Sequence, residues 1–361
     1  ETGITEKGKG YSFAEKDGMR YHGVGKFDKA EGIKVVPPEI PAYQDIFGAA
    51  LCEQAAEDDR IHGITAAMAP GTGLNLMRDR FPERFHDVGI AEGHAVTFAA
   101  GLASAGHKPV VAIYSTFLQR ALDQIIHDVA LQHLDVVFAV DRGGVVGEDG
   151  PTHHGVFDLT YLRMIPDMVV MAPRDEDQLR HMVATAVAHR GGPSAIRYPR
   201  GSGLGVDTTG PAVPLKIGTA ETLAPGEDLC LLAVGSMVAP ALEAADLLQR
   251  DGLTTEVVDM RFVKPLDEDL LASVWDRHRR VGTIEENALA GGFGTAVLEW
   301  AALRDEPGPR GLNLGIPDTF QEHASRNELL ADMGLDSEGL AASIRRFVGL
   351  SNKGSEAQSA S

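Results

Sequence analysis

The sequence predicts an α/β protein built as two doubly wound domains, the second smaller than the first. Three observations carry this. Short apolar runs of strand length alternate with stretches of helical periodicity, an aperiodic stretch of Gly, Pro, Thr and Asp at 201–214 interrupts the alternation, and the alternation restarts beyond it. Strands separated by helices of roughly 10–15 residues do not turn back as hairpins but pair in parallel through crossovers. At 361 residues the chain is long enough for two cores of roughly 100–200 residues each.

Residues 1–40 form a lead-in rich in Gly and Lys, and helical periodicity then predicts a helix over 43–58. Strand-like runs at 63–69, 109–114, 136–140 and 168–171 are interleaved with helical patterns over 91–105, 117–131 and 175–189. The composition of 201–214 is that of a linker, so the first domain is placed at 41–205 and the second at 206–350. Strands at 229–234, 256–260 and 281–285 alternate there with helices over 238–250, 267–277 and 292–303, and a last helix covers 337–348. Residues 351–361 are small and polar, which predicts a flexible tail.

Composition excludes several classes. Lys plus Arg number 33 and Asp plus Glu 52, a formal net charge of −19, which is the wrong sign for gripping a nucleic-acid backbone. No apolar run approaches the roughly 18 residues that span a bilayer, so no membrane partner is expected. The two cysteines, Cys52 and Cys230, are too few for a disulfide framework; they read as core thiols of a cytoplasmic protein. The polar opening from Glu1 is neither a secretory signal nor an intact start, so the chain is expected to be cut from something longer.

In open α/β sheets ligands bind beyond the carboxyl ends of strands, so polar residues after each strand-like run are the first candidates. Pro70-Gly71-Thr72-Gly73-Leu74 superficially resembles a dinucleotide loop but has no third glycine. Glu92, in Asp87-Val88-Gly89-Ile90-Ala91-Glu92-Gly93-His94, opens a helix of small residues; it is either a functional acid or a carboxylate favoured there by the helix dipole. Tyr114-Ser115-Thr116-Phe117-Leu118-Gln119-Arg120 follows the next strand, and Phe117 taken alone reads as core packing before it reads as a ligand contact. The stretch from Asp141 to Gly155 combines Arg142, Glu148, Asp149, His153 and His154 with Gly143, Gly144, Gly147 and Gly150, a long loop whose backbone is free to approach a ligand. No metal site is predicted there, because adjacent histidines point apart and no third ligand has zinc spacing. Arg197 and Arg200 in Arg197-Tyr198-Pro199-Arg200-Gly201 present guanidinium forks to a phosphate or form a solvated surface pair.

Together these segments resemble the 1-deoxy-D-xylulose-5-phosphate synthase family, thiamine-diphosphate enzymes of the transketolase superfamily. The resemblance covers nearly the whole chain. Lys7-Gly8-Lys9-Gly10-Tyr11 and Tyr21-His22-Gly23-Val24-Gly25-Lys26-Phe27-Asp28 are similar to the end of that family's first domain and its connector, and the segments above to its pyrimidine-binding domain. Gly235-Ser236, Asp259-Met260-Arg261-Phe262-Val263-Lys264-Pro265-Leu266 and Glu285-Glu286-Asn287 are similar to the transketolase C-terminal domain.

The resemblance implies roles. Glu92 matches the glutamate that hydrogen-bonds the aminopyrimidine ring of thiamine diphosphate, and Phe117 the aromatic that stacks on that ring. Tyr114, Arg142 and Arg200 match residues that bind the acceptor's phosphate. His22 and His153 match histidines that orient substrates or move protons, and Arg120 and Asp149 match further polar residues of the active site. The implied reaction joins pyruvate to D-glyceraldehyde 3-phosphate with loss of carbon dioxide, the first step of non-mevalonate isoprenoid synthesis, in a homodimer. The family's Gly-Asp-Gly motif for magnesium and diphosphate does not occur in this sequence. Mg2+ and the diphosphate are therefore expected on a first domain, removed or present as a separate chain, and the isolated chain is expected to be inactive. Two other readings compete: the beta subunit of a 2-oxo acid dehydrogenase, and a non-catalytic assembly module.

Overall fold

The computed structural model describes residues 6, 8–18, 21, 24, 27–33, 38–305 and 307–350, in two units, Glu1–Pro41 and Ala42–Ser361. His22 and the tail 351–361 lie outside the described residues. In the first unit a short helix, Ser12–Lys16, accompanies an aromatic cluster of Tyr11, Phe13, Tyr21 and Phe27, with ring centroids 5.5–6.5 Å apart.

The second unit holds two sheets. The first contains β1 (Ile61–Thr65), β2 (Phe85–Asp87), β3 (Lys108–Tyr114), β4 (Val137–Asp141), β5 (Val169–Met171) and β6 (Ser194–Arg197). The second contains β7 (Glu221–Ala224), β8 (Leu229–Ala233) and β9 (Thr255–Asp259). After β9 the chain returns to the first sheet as β10 (Phe262–Lys264), then completes the second with β11 (Arg280–Ala288) and β12 (Arg310–Ile316). The strand orders are β10-β5-β6-β4-β3-β1-β2 and β12-β11-β8-β9-β7. Pairing is parallel except at two edges, β10 on β5 and β7 on β9.

Parallel sheets need cover on both faces, and the first sheet has it. Alternate residues of its strands, among them Val110, Ala112, Val137, Ala139 and Ile196, pack under the helices Tyr43–Glu57 and Glu176–Ala188 with Phe47, Leu51, Leu179 and Met182. Their neighbours Val111, Ile113, Phe138 and Val140 face the helix Glu92–Ser104 through Ala95, Val96 and Ala99. That second core is continuous with Leu232 and Val258 of the second sheet, with Met260 just beyond β9 and with Phe293 of the helix Phe293–Ala302. Local signals set the helix ends: Asp175 caps Glu176–Ala188 by accepting from the Gln178 amide at 2.7 Å, and Ser325 with Glu328 forms a capping box for Arg326–Asp332.

The sequence pattern contains no strand at β2, β7 or β12 and places the first strand at 63–69 where the structure has Ile61–Thr65; two further features differ from it. The single helix expected over 117–131 is a series of short turns: α over Ser115–Leu118, 3-10 over Gln119–Ala121, α over Leu122–Gln124 and π over Ile125–Val129. Each change of winding keeps Leu118, Ala121, Ile125 and Val129 in the core facing helix Glu92–Ser104, which is why the apolar spacing imitates one helix. Second, β10 crosses from beyond the linker to edge the first sheet, with Phe262 fully buried. Three residues are too short a run to show period-2 alternation.

Candidate active site

The site is assembled at the carboxyl ends of β2, β3, β4 and β6. The Asp87 carboxylate at the end of β2 accepts from the Ala67 amide at 2.8 Å and the Gly89 amide at 3.0 Å, and so fixes the turn that leads into helix Glu92–Ser104. Glu92 stands in the first turn of that helix, 4% exposed. Its Oε1 accepts from Arg120 Nη1 at 2.5 Å. The same guanidinium lies over the Phe117 ring, 4.9 Å from its centroid. Phe117 stacks on Tyr114 at 5.8 Å and 25°, and meets the edge of the His153 ring at 5.4 Å. Glu92, Arg120, Phe117, Tyr114 and His153 are thus one continuous surface: a buried carboxylate and a flat apolar face bridged by a cation.

A second group adjoins it. The Arg142 guanidinium covers the other ring of the stack, 3.9 Å from the Tyr114 centroid, and donates to Asp149 at 2.9 Å. Arg200 Nη1 lies 3.2 Å from the same Asp149 oxygen and donates to the Val146 carbonyl at 2.7 Å. Asp149 thereby holds both cations together. Burial raises the Tyr114 phenol above its ordinary pKa, against the pull of Arg142. Gly71 gives this tyrosine its room: a Cβ there would come within 1.7 Å of Tyr114 Oη. The loop at 70–74 therefore shapes the floor of the site.

The glycine-rich loop after β4 is pinned from several sides. Arg142 has a left-handed backbone, φ 58°, rare for a residue with a Cβ. The next amide, Gly143 N–H, donates to the Tyr198 carbonyl, and Gly144 and Gly155 exchange backbone bonds at 2.7 and 2.8 Å. A Cβ on Gly144 would strike Glu286 at 2.3 Å. Glu286, from β11, accepts from the Val145 amide at 3.0 Å, from Ser236 Oγ at 2.6 Å and from Arg326. His154 Nδ1 accepts from the Val146 amide at 3.1 Å, which leaves Nε2 to donate to the Glu322 carbonyl at 3.2 Å. The motif residues Ser236 and Glu286 thus hold the loop, a role their sequence positions alone did not reveal.

Arg142 and Arg200 stand together, but the phosphate reading of Arg197 is corrected. That side chain is 2% exposed and bonded through Nε to Asp158 Oδ2 at 3.0 Å, with Nη2 on the Gly155 and Glu286 carbonyls. It ties the two sheets together and has no face toward the site. The structure brings Glu92, Tyr114, Phe117, Arg120, Arg142, Asp149, His153 and Arg200 into contact; His22 lies outside the described residues. An aminopyrimidine needs a carboxyl partner at a ring nitrogen and a flat apolar face, and this donor set fits it. The described residues that could converge on a metal ion are Cys230 and Glu256 of the second sheet and His278, which follows the helix Glu268–Arg277, with Arg277 already on Glu256.

Comparison with known proteins identifies the two domains. The transketolase pyrimidine binding domain family matches residues 39–204, and the transketolase C-terminal domain family matches residues 218–340. The 1-deoxy-D-xylulose-5-phosphate synthase 1 of Geobacter sulfurreducens is 54% identical over 346 residues, 96% of this chain and 54% of that protein. The synthase of Syntrophus aciditrophicus is 52% identical over 350 residues, again 54% of its length. The chain therefore spans about half the length of these curated relatives. Among solved structures, a split-gene transketolase described as an inactive beta4 tetramer has a TM-score of 0.75 at 31% identity, covering 86% of this chain and 98% of that one. A transketolase from Pichia stipitis shares the fold at 18% identity, with a TM-score of 0.69 over 88% of this chain and 48% of its own. Among the described residues no helix is long and apolar enough to cross a membrane. By these matches the chain belongs to the transketolase superfamily, with the sequence of the pyrimidine-binding and C-terminal domains of the 1-deoxy-D-xylulose-5-phosphate synthase family.

Proposed function

We propose that this chain supplies the aminopyrimidine site and the acceptor-phosphate site of an enzyme that condenses pyruvate with D-glyceraldehyde 3-phosphate, releasing carbon dioxide and 1-deoxy-D-xylulose 5-phosphate. The observation that carries the reading is the buried Glu92 carboxylate linked by Arg120 to the Phe117 face. Bound there, thiamine diphosphate supplies an electron sink for decarboxylation of a 2-oxo acid. Glu92 holds a proton at the pyrimidine ring nitrogen, Phe117 stacks on the ring, and Arg120 fixes the carboxylate. His153, in T-shaped contact with Phe117 and with Nδ1 2.9 Å from Thr152 Oγ1, is placed to orient a substrate or carry a proton beside that ring.

Arg142, Arg200 and Tyr114 receive the phosphate of the acceptor. Asp149 now neutralises both guanidinium groups. A dianionic phosphate offers three acceptor oxygens to the same forks, so Asp149 and the phosphate compete for them. Ligands for the diphosphate and Mg2+ are proposed to come from residues outside these 361, on a preceding domain or a second chain, with the complete enzyme a homodimer. His22 is assigned a substrate-orienting role on sequence grounds. A reducing cytoplasmic setting suits the free, buried Cys52 and Cys230.

Product analysis of the enzyme that contains this chain is the test. Free 1-deoxy-D-xylulose 5-phosphate is the expected product; acyl transfer to lipoamide would assign the chain to a 2-oxo acid dehydrogenase instead. Absence of any thiamine-dependent turnover would favour an assembly role. Charge-assisted forks contribute about 1.5–3 kcal/mol each. Replacing Arg142 or Arg200 with Ala should therefore raise KM for glyceraldehyde 3-phosphate about ten- to hundredfold and leave that for pyruvate nearly unchanged; equal effects on both substrates would remove the phosphate role.

A further inference from the structure

Behind the two arginines lies a buried acid that the roles above leave unused. Asp141 ends β4, 1% exposed, and neither carboxyl oxygen makes a hydrogen bond of standard geometry. Its position follows from sheet register. Tyr114 of β3 is its direct partner, and one step beyond the Val140–Arg197 pair Tyr198 lies on its other side. Side chains alternate along strands, so Asp141 points the same way as the core residues Val137 and Ala139. Tyr198 does so too; it stacks on Phe47 at 5.6 Å, and its buried hydroxyl also has no partner. The row Tyr114–Asp141–Tyr198 therefore lies across the strand ends that carry Arg142 and Arg200, with one tyrosine on each side of the acid.

The groups acting on Asp141 come from every element around it. They are Arg142 on its own segment, Arg200 after β6, Asp45 on helix Tyr43–Glu57, and the flanking phenols Tyr114 and Tyr198. Burial raises its pKa to about 7, Asp45 pushes the same way, and Arg142 and Arg200 oppose it. The Arg142 backbone amide also favours the anion, but a carboxyl this deeply buried is neutral unless the cations beside it stabilise its charge.

Resting on the phosphate reading of Arg142 and Arg200, we infer that Asp141 is a positioning residue for the acceptor phosphate: neutral, it leaves Asp149 as the one carboxylate that competes with the ligand for the two guanidinium groups, and ionised, it adds a second. The coupling is reciprocal. A bound dianion disfavours the Asp141 anion, so binding above about pH 7 takes up a proton.

The test is calorimetric binding of glycerol 3-phosphate, a three-carbon phosphate ester with no carbonyl to react, to the full 361-residue chain between pH 6 and 9. Wild-type affinity should rise as the phosphate loses its second proton near pH 6. It should then fall roughly tenfold by pH 8.5, the size expected of one charge acting through a partly screened interior. Buffers of different ionisation enthalpy should reveal the proton uptake. In Asp141→Asn the fall and the uptake should both vanish and leave a plateau; a fall of wild-type size in that variant overturns the inference. Should the variant not fold, NMR of wild-type protein labelled at the aspartate γ-carbon decides, because the Asp141 titration must move to higher pH with ligand bound, and an unmoved titration overturns the inference. Arg142→Ala and Arg200→Ala separate the two readings. If neither weakens binding at any pH, the phosphate reading fails. If both do while wild-type affinity stays flat to pH 9, only the Asp141 role fails.

Discussion

Glu92 and Asp141 show how placement decides what a carboxyl can do. Both are buried at a strand or helix end, yet Glu92 has a cation in contact and Asp141 has none at hydrogen-bonding distance. A carboxyl whose pKa rises on folding is destabilising where it must ionise: its contribution is intact below the unfolded value near 4, falls as pH rises, and reaches its full cost above the folded value of about 7. Asp141→Asn should therefore raise Tm relative to wild type at pH 8.5 and much less at pH 5, read by thermal denaturation. An equal change at both pH values would show that Asp141 is ionised, or neutral, throughout. The opposite case is Arg197. With its guanidinium buried on Asp158, removing either partner leaves an uncompensated buried charge. Arg197→Ala should cost about 3–5 kcal/mol in denaturant unfolding, and a loss under 1 kcal/mol would contradict the tie assigned to it.

At the scale of elements, the long helices were legible from sequence, and several strands, among them β2, β7, β10 and β12, were not. The helices at 43–58, 91–105 and 175–189 fall within a residue or two of Tyr43–Glu57, Glu92–Ser104 and Glu176–Ala188. β2 and β10, three residues each, leave no pattern of their own; tertiary pairing with β1 and β5 makes them strands. The site was legible as segments because its polar residues follow strands. Arg197 and Arg200 look equivalent in sequence, and only the burial of one against Asp158 separates them. Asp141 was passed over because its meaning lies in the cross-strand row with Tyr114 and Tyr198, and register between crossovers is not written in local sequence.

Across the whole of residues 42–350, the 201–214 stretch reads as a boundary, but the contacts across it are extensive. β10 edges the first sheet, one core cluster runs through both sheets, and Glu286, Arg197, His154 and Arg174 bond across the join. Calorimetry of the chain should therefore show one cooperative transition for these residues; two well-separated endotherms would contradict the shared core. The same joining explains why the glycine-rich loop arrives preshaped: Glu286 and the Glu322 carbonyl hold it from the second sheet.

The central claim is that the Glu92 carboxyl activates a thiamine pyrimidine lying against Phe117. Its most direct measurement is the rate of hydrogen–deuterium exchange at the thiazolium carbon in the enzyme completed by its diphosphate-binding residues, compared between wild type and Glu92→Ala at saturating cofactor. General acid–base assistance contributes about 10²- to 10⁴-fold. The account predicts that exchange slows by at least the lower of these factors while the cofactor stays bound; exchange at the wild-type rate in Glu92→Ala would contradict it.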